Sequence, residues 1–283
     1  MYMKVHIIVD STADMTEEIR SRLKIVPLTV IFGEEEYIDG VTIDHKTFYE
    51  KLVETDVMPT TSQATPAAFA ELFEEITAAG DSAVVITVAS RLSGTYQSAV
   101  IAADGMEGIH VVDGRSVAIG TGILAEHALE LADQGLSAAE IAERITELRE
   151  KVCIVAMLDT LEYLKRGGRI SGTAAFAGGL LNIKPVVSLI DGEIIVLGRA
   201  RGSRQGNNLL VTEIDKAGGV DFEMPVLLGY TGISDLLLQK YVADSAALWQ
   251  ESKESLRSTP IGSVIGTHAG PGAIAAAFFK KEG

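Results

Sequence analysis

The sequence is poor in the features that mark most specialised protein classes. Its single cysteine, Cys153, excludes an internal disulfide, and its place in the apolar run from Val152 to Leu158 reads as a core thiol. Cations are scarce: Lys and Arg total 24 against 39 Asp and Glu, a formal charge of -15. An acidic surface repels phosphate backbones and anionic headgroups, so nucleic-acid or membrane-surface binding by the whole protein is disfavoured, leaving room only for a local basic patch. The uncharged stretch from Ile170 to Ile183 has 14 residues and is rich in glycine, short of the roughly 20 apolar residues of a membrane span. Met1 to Asp10 lacks the apolar segment and cleavage site of a signal peptide, so the expected location is cytoplasmic, with no membrane span. There is no Walker motif, and His6, His45, His110 and His127 have no metal-ligand spacing, so no cofactor and no metal are expected.

What is present describes a folded protein. Hydrophobic residues make up 47% and charged residues 22% of 283, average globular usage at a length that suits two domains. The first half alternates strand and helix signals. Apolar runs at Val5 to Val9, Ile25 to Phe32, Ala83 to Val88 and Ile109 to Val112 predict strands. Thr65 and Pro66 open a helix to Ala79 with Phe69, Leu72, Phe73 and Ile76 on one face, and Ser137 with Glu140 makes a capping box before a helix that ends near Lys151. Glu34 to Glu36 reads as a solvated hairpin tip. Such alternation implies an N-terminal Rossmann-like parallel sheet with flanking helices. In the second half Asp191-Gly192 joins runs Pro185 to Ile190 and Glu193 to Leu197 in a hairpin. Two βα pairs are expected after it: Val226 to Tyr230 before a helix from Asp235 to about Glu251, and Ile261 to Thr267 before a helix within Pro271 to Phe279. The fold class is therefore α/β with two domains, the second a mixed α/β sandwich with antiparallel strands. The expected division is 1–155 and 156–283, with the ligand site between them.

Four loops rich in glycine or hydroxyls could carry chemistry. Thr60 to Pro66 precedes a helix, where hydroxyls and free N–H groups suit an anion, although Thr65 also serves as a simple cap. Ser90 to Tyr96 follows a strand of the parallel sheet, where ligands of doubly wound folds bind. Ser93 lacks the Gly-x-Ser-x-Gly elbow, since Arg91 and Thr95 stand in the glycine positions, so a hydrogen-bonding role is preferred to a nucleophilic one. Lys165 to Ser171, with three cations in five residues, and the cluster Arg199, Arg201 and Arg204 read either as solvated charge or as groups for a phosphate. Thr267 to Gly272 combines His268 with glycines that allow close backbone approach.

These loops resemble the DegV family. The match runs in order along the chain: Val9-Asp10-Ser11-Thr12-Ala13-Asp14, Thr60-Thr61-Ser62-Gln63, Leu92-Ser93-Gly94-Thr95-Tyr96-Gln97-Ser98-Ala99, Leu164-Lys165-Arg166-Gly167-Gly168-Arg169-Ile170, Lys184-Pro185 and Thr267-His268-Ala269-Gly270-Pro271-Gly272. The family includes the fatty-acid-binding subunit of bacterial fatty acid kinase. The resemblance implies one long-chain fatty acid held between two domains, with its carboxylate on Thr61, Ser93 and His268 and Ser62 nearby. It further implies a dihydroxyacetone-kinase-like ATP-binding subunit as partner, with Arg169 and Arg201, outside the carboxylate contacts, docking that partner or assisting phosphoryl transfer. The chain departs from the family at Arg204-Gln205, where a lysine pair is common. Ala174 to Leu181, with Phe176, Leu180 and Leu181, is an apolar supply for the acyl tail. On this reading the protein is a carrier and not itself an enzyme. The rival is an acyl-transfer or hydrolytic enzyme using Ser93 and His268, which needs a Ser–His hydrogen bond, an orienting acid and an oxyanion hole. A third reading is a regulatory module whose loops are only structural.

Overall fold

The computed structural model describes residues 4–170, 182–250 and 256–281. In chain order, its N-terminal part contains β1 (Val5–Asp10), α1 (Glu17–Arg20), β2 (Lys24–Val26), β3 (Thr29–Phe32), β4 (Glu35–Ile38), α2 (His45–Glu54), β5 (Thr60–Ser62), α3 (Pro66–Ala78), β6 (Ser82–Thr87), α4 (Thr95–Ala102), β7 (Ile109–Asp113), α5 (Ile119–Asp133) and α6 (Ala138–Leu148). There follow β8 (Val152–Met157), α7 (Glu162–Arg166), β9 (Ile183–Ile190), β10 (Glu193–Arg201), α8 (Gly202–Lys216), β11 (Leu227–Tyr230), α9 (Leu236–Asp244), β12 (Arg257–Pro260), α10 (Ser263–Ala269) and β13 (Ile274–Phe279).

These elements make two α/β domains. The first has a parallel sheet in the order β2-β1-β6-β7 with helices on both faces. All six residues of β6 are buried, as a central strand covered on both faces requires. The expected single strand from Ile25 to Phe32 is broken at Pro27, which has no N–H to give a ladder. β2 ends at Val26, and β3 joins a separate antiparallel sheet in the order β4-β3-β5. Thr65 accepts a hydrogen bond from the Ala68 N–H at the head of α3, and Ser137 and Glu140 complete the capping box of α6.

The second domain is a mixed sheet in the order β10-β9-β8-β13-β11-β12, with one parallel pair, β11 and β12. β8 spans Val152–Met157 and pairs with β9 and β13. Asp191 and Gly192 both take positive φ, 51° and 78°, the type I′ geometry that fits a hairpin's twist. Around this sheet the C-terminal expectation is reversed. Ile261 to Thr267 was expected as a strand, but α10 begins at Ser263; Pro271 to Phe279 was expected to hold a helix, but Ile274–Phe279 is β13. The alanine run favours helix locally, yet Ile274, Ala276 and Phe278 join one core while Ala277 and Phe279 join another, the period-two pattern of a strand buried on both faces. The helix expected to reach Glu251 is described as Leu236–Asp244. Ala174 to Leu181 lies outside the described residues. The uncharged run from Ser258 to Phe279 is divided among β12, α10 and β13, and among the described residues no helix is long and apolar enough to cross a membrane.

The two domains share α5. Ten of its fifteen residues are buried, and the core that contains Ile119, Ile123 and Leu124 draws Ile7, Val9 and Val84 from the first sheet and Ile154, Leu227 and Ala277 from the second. Its glycines permit the approach. A Cβ on Gly122 would strike the Asp14 carbonyl oxygen and lie 3.0 Å from the Asp14 carbonyl carbon. In an exposed helix, glycine to alanine stabilises by about 1 kcal/mol. Gly122→Ala is expected to do the opposite, lowering unfolding free energy in urea by about 1 to 3 kcal/mol through overpacking; a stabilised variant would contradict this packing.

Candidate functional site

A cavity of about 470 Å³ lies between the two sheets. Its apolar wall includes Ile154 and Leu158 at β8, Val187 and Leu189 on β9, Ile265 on α10 and Ile274 on β13. Val117 and Ala118, just before α5, close it from the first domain.

Its polar wall is a chain of contacts among loops far apart in sequence. Thr61 is held on β5 by pairing with Val30, and its Oγ1 lies 3.0 Å from His268 Nε2. The His268 imidazole packs on the bare Cα of Gly167, where a Cβ would collide with Nδ1. Two residues on, Arg169 turns back: Nη1 donates to the Gly167 carbonyl at 2.7 Å and Nε to the Leu92 carbonyl at 3.1 Å. Ser93 follows Leu92, its Oγ sharing a hydrogen bond of 2.9 Å with Thr95 Oγ1. Gly94 then leaves space for the Gln63 carboxamide, which a Cβ there would strike, and Gln63 donates to Ser98 Oγ at 2.9 Å. Ser62 and Thr61 complete the circuit. Thr61, Ser62, Ser93, His268 and Arg169 thus all line the one cavity. Arg201 does not. It lies in a separate groove with Lys184 and Arg204, at the start of α8, its backbone N–H donating to Gln205 Oε1 at 3.0 Å. Arg169, expected apart from Thr61, Ser93 and His268, lines the same cavity as they do, and the two arginines occupy different places. His268 also differs in setting from the expected strand-to-helix loop, standing in the last turn of α10.

The electrostatics follow from burial. Desolvation, and secondarily the Arg169 guanidinium, push the His268 imidazole down to about 4, so it is neutral near pH 7. Its Nδ1 is buried without a partner among the described residues. An unpaired acceptor is less costly to leave there than a charge, and this arrangement lets Nε2–H donate to Thr61 Oγ1, freeing the Thr61 hydroxyl hydrogen for a ligand. The circuit presents hydroxyl donors and a guanidinium to an anion. It does not present an acyl-transfer pair. Ser93 Oγ is bonded to Thr95 and His268 Nε2 to Thr61, and no described acid orients His268 Nδ1. Cys153 stands apart, its thiol pushed up by burial. Among the described residues, no group of three or more His, Cys, Asp or Glu could hold a metal ion. The sequence motifs contained Gly94 and Gly167, but nothing in them signalled that Gln63 and His268 pack on those two bare backbones.

Comparison with known proteins gives a consistent result. The family model described as uncharacterised protein, DegV family, matches residues 4–281. A DegV domain-containing protein of Caldanaerobacter subterraneus subsp. tengcongensis is 37% identical over 284 residues, 99% of each chain. A solved structure described as fatty acid binding of a DegV family protein from Thermus thermophilus is 31% identical, with a TM-score of 0.83 over 98% of this chain and 100% of that one. DegV from Bacillus subtilis, described as a fatty acid binding protein, is 29% identical with a TM-score of 0.81 and the same coverage. A stearic-acid-binding protein from Eubacterium ventriosum is 26% identical with a TM-score of 0.82 over 99% of both chains.

The neutral imidazole has a measurable consequence. The unfolded chain takes up the His268 proton near pH 6.5 and the folded chain only near 4, so this residue's effect is a loss of stability as pH falls from about 6.5 towards 4. His268→Gln is expected to lose less stability than the parent between pH 7 and pH 5, read from urea midpoints. Parallel declines would contradict the assignment.

Proposed function

The chain belongs to the DegV family, and on that premise we propose that it binds one long-chain fatty acid in the cavity between its sheets and presents the carboxylate to a separate kinase subunit. The observation that carries this reading is the cavity: an apolar wall joined to one circuit containing Thr61, Ser93, His268 and Arg169. Burial of about a dozen methylenes at ~0.8 kcal/mol each contributes roughly 10 kcal/mol before ordering costs, so the tail supplies affinity and the hydroxyls supply orientation. The carboxylate takes the Thr61 and Ser93 hydroxyls as donors, with Ser62 at the rim and the Arg169 charge beside it. His268 holds Thr61. On this reading the clasping units are residues 1–155 and 156–283, and β8, laddered to β9 and β13, lies at their division.

The carrier works in the cytoplasm with a dihydroxyacetone-kinase-like subunit that supplies ATP. The acyl carboxylate oxygen attacks the γ-phosphorus of ATP, the bond to the ADP oxygen breaks, and acyl phosphate and ADP result. Arg201, with Lys184 and Arg204 in a groove of about 440 Å³, gives this acidic chain a local positive face for that partner.

Mass spectrometry of organic extracts of the purified protein is expected to find a long-chain acid near one per chain. Extracts free of such acids, together with no uptake of added acid, would refute the reading. Ser93→Ala and Thr61→Val are each expected to weaken acid binding by about 1.5 to 3 kcal/mol, with methyl esters bound less well than acids by the parent; unchanged affinity would remove these residues from the headgroup site.

The arginines are expected to separate in a reconstituted assay. Arg201→Ala keeps its lipid and loses acyl-phosphate formation, whereas Arg169→Ala loses lipid as well. Full turnover by Arg201→Ala would refute its role.

A further inference from the structure

α10 carries His268 but cannot cap itself. Its seven residues are preceded by Gly262, which has ordinary extended φ and ψ of -65° and 176° but no side chain to accept from the first turn. Two carboxylates from the opposite end of the chain stand there instead. Asp14 Oδ1 accepts the Gly262 N–H at 2.8 Å, and Asp39 Oδ1 accepts the Ser263 hydroxyl. Both aspartates are buried, at 7% and 6% exposure, where a carboxyl needs a compelling partner. A Cβ on Gly262 would lie 3.2 Å from Asp14 Oδ1, so the glycine makes room for the imported acceptor.

The rest of α10 is fastened to the same domain. The Tyr49 hydroxyl donates to the Ile261 carbonyl at 3.2 Å, and Gly266 packs on Phe48 and Tyr49, with 2.6 Å between a Cβ there and Phe48 Cε1. Just before the helix, the Thr259 hydroxyl donates to the Met15 carbonyl at 2.9 Å. Six residues beyond Gly262, about 9 Å along the helix, His268 meets Thr61. We propose that Asp14 and Asp39 are positioning residues for the ligand site: they supply the N-terminal cap that α10 lacks and so hold His268 against Thr61.

A cap requires an acceptor, not a charge. Burial raises the carboxyls of Asp14 and Asp39, neighbouring carboxylates raise Asp14 further, and Arg20 opposes both shifts. Tyr49, raised chiefly by burial, faces the same pair. Asn in either position retains the accepting oxygen, and Ala does not.

The test compares Asp14→Ala, Asp14→Asn and the double variant Asp14→Ala/Gly262→Ser, in which a serine at the cap position replaces the lost acceptor from within the helix. The first readout is the His268 imidazole in NMR spectra of protein freed of lipid, identified against His268→Gln. Between pH 8 and pH 5 no protonation shift is expected in the parent, the Asn variant or the double variant. A shift is expected in Asp14→Ala, whose loosened helix end returns the imidazole to water. The second readout rests on the proposed fatty-acid function: preference for acid over methyl ester is expected to fall about tenfold in Asp14→Ala and to persist in Asp14→Asn. A folded Asp14→Ala with no shift overturns the proposal, and so does an Asp14→Asn that behaves like Asp14→Ala. Should Asp14→Ala not fold, Ser263→Ala removes only the hydroxyl given to Asp39, and complete absence of a shift there overturns the clamp. A parent with no preference for the acid refutes the fatty-acid reading, while the imidazole titration still decides the cap.

Discussion

A fifteen-residue helix that must satisfy two sheets has little freedom in its side chains, and α5 shows the result. Its buried face wraps around most of its circumference, with glycine and threonine where backbones approach and isoleucine and leucine where sheets must be reached. Because both sheets pack on this one helix, the distance between them is fixed by its diameter. Val117 and Ala118, which precede the helix, line the cavity where that shared packing ends. The space for a ligand is thus a product of how the domains are held together and does not require a separate pocket-forming element.

The polar circuit works under the same low-dielectric conditions. In water an exposed imidazole near neutral pH is partly charged; here desolvation and Arg169 keep it neutral, with Nε2 in a directional hydrogen bond with the Thr61 hydroxyl. Positive charge comes from the guanidinium, whose own N–H groups are steadied by the Leu92 and Gly167 carbonyls. Orientation and charge are thus assigned to different residues. An anion entering the cavity meets donors already fixed by the protein and pays little to organise them.

Much of this architecture was legible in the sequence, and what was not legible has a common cause. The helix beginning at Pro66, the capping box at Ser137 and the Asp191-Gly192 hairpin are written in adjacent residues, and each forms as read. Local signals failed between Ile261 and Phe279, where alanine propensity was overridden by burial of β13 on both faces. α5 gave no amphipathic stripe because two sheets bury it. For the site, the motif residues Thr61, Ser62, Ser93 and His268 were identifiable as chemistry, while their shared circuit was not. The parts that escaped, Gly94 under Gln63 and Gly167 under His268, are relations of shape between segments, for which one sequence holds no local sign.

The cap of α10 also bears on the order in which the molecule is completed. Gly262 and Asp14 are 248 residues apart, Ser263 and Asp39 are 224, and His268 and Thr61 are 207. Contacts of such separation carry a large loop-closure cost and form only after the intervening chain has collapsed. During synthesis from the N-terminus, the parallel sheet, α5 and the β10-β9-β8 part of the second sheet can assemble while Asp14 and Asp39 still lack their donors; β13, which joins that part to β11, follows α10. The arrival of Gly262 and Ser263 satisfies these carboxylates and brings His268 to Thr61. A chain ending before this segment lacks both His268 and β13, so the Thr61–His268 contact and the Ile274 side of the cavity are the last parts of the pocket that the nascent protein acquires.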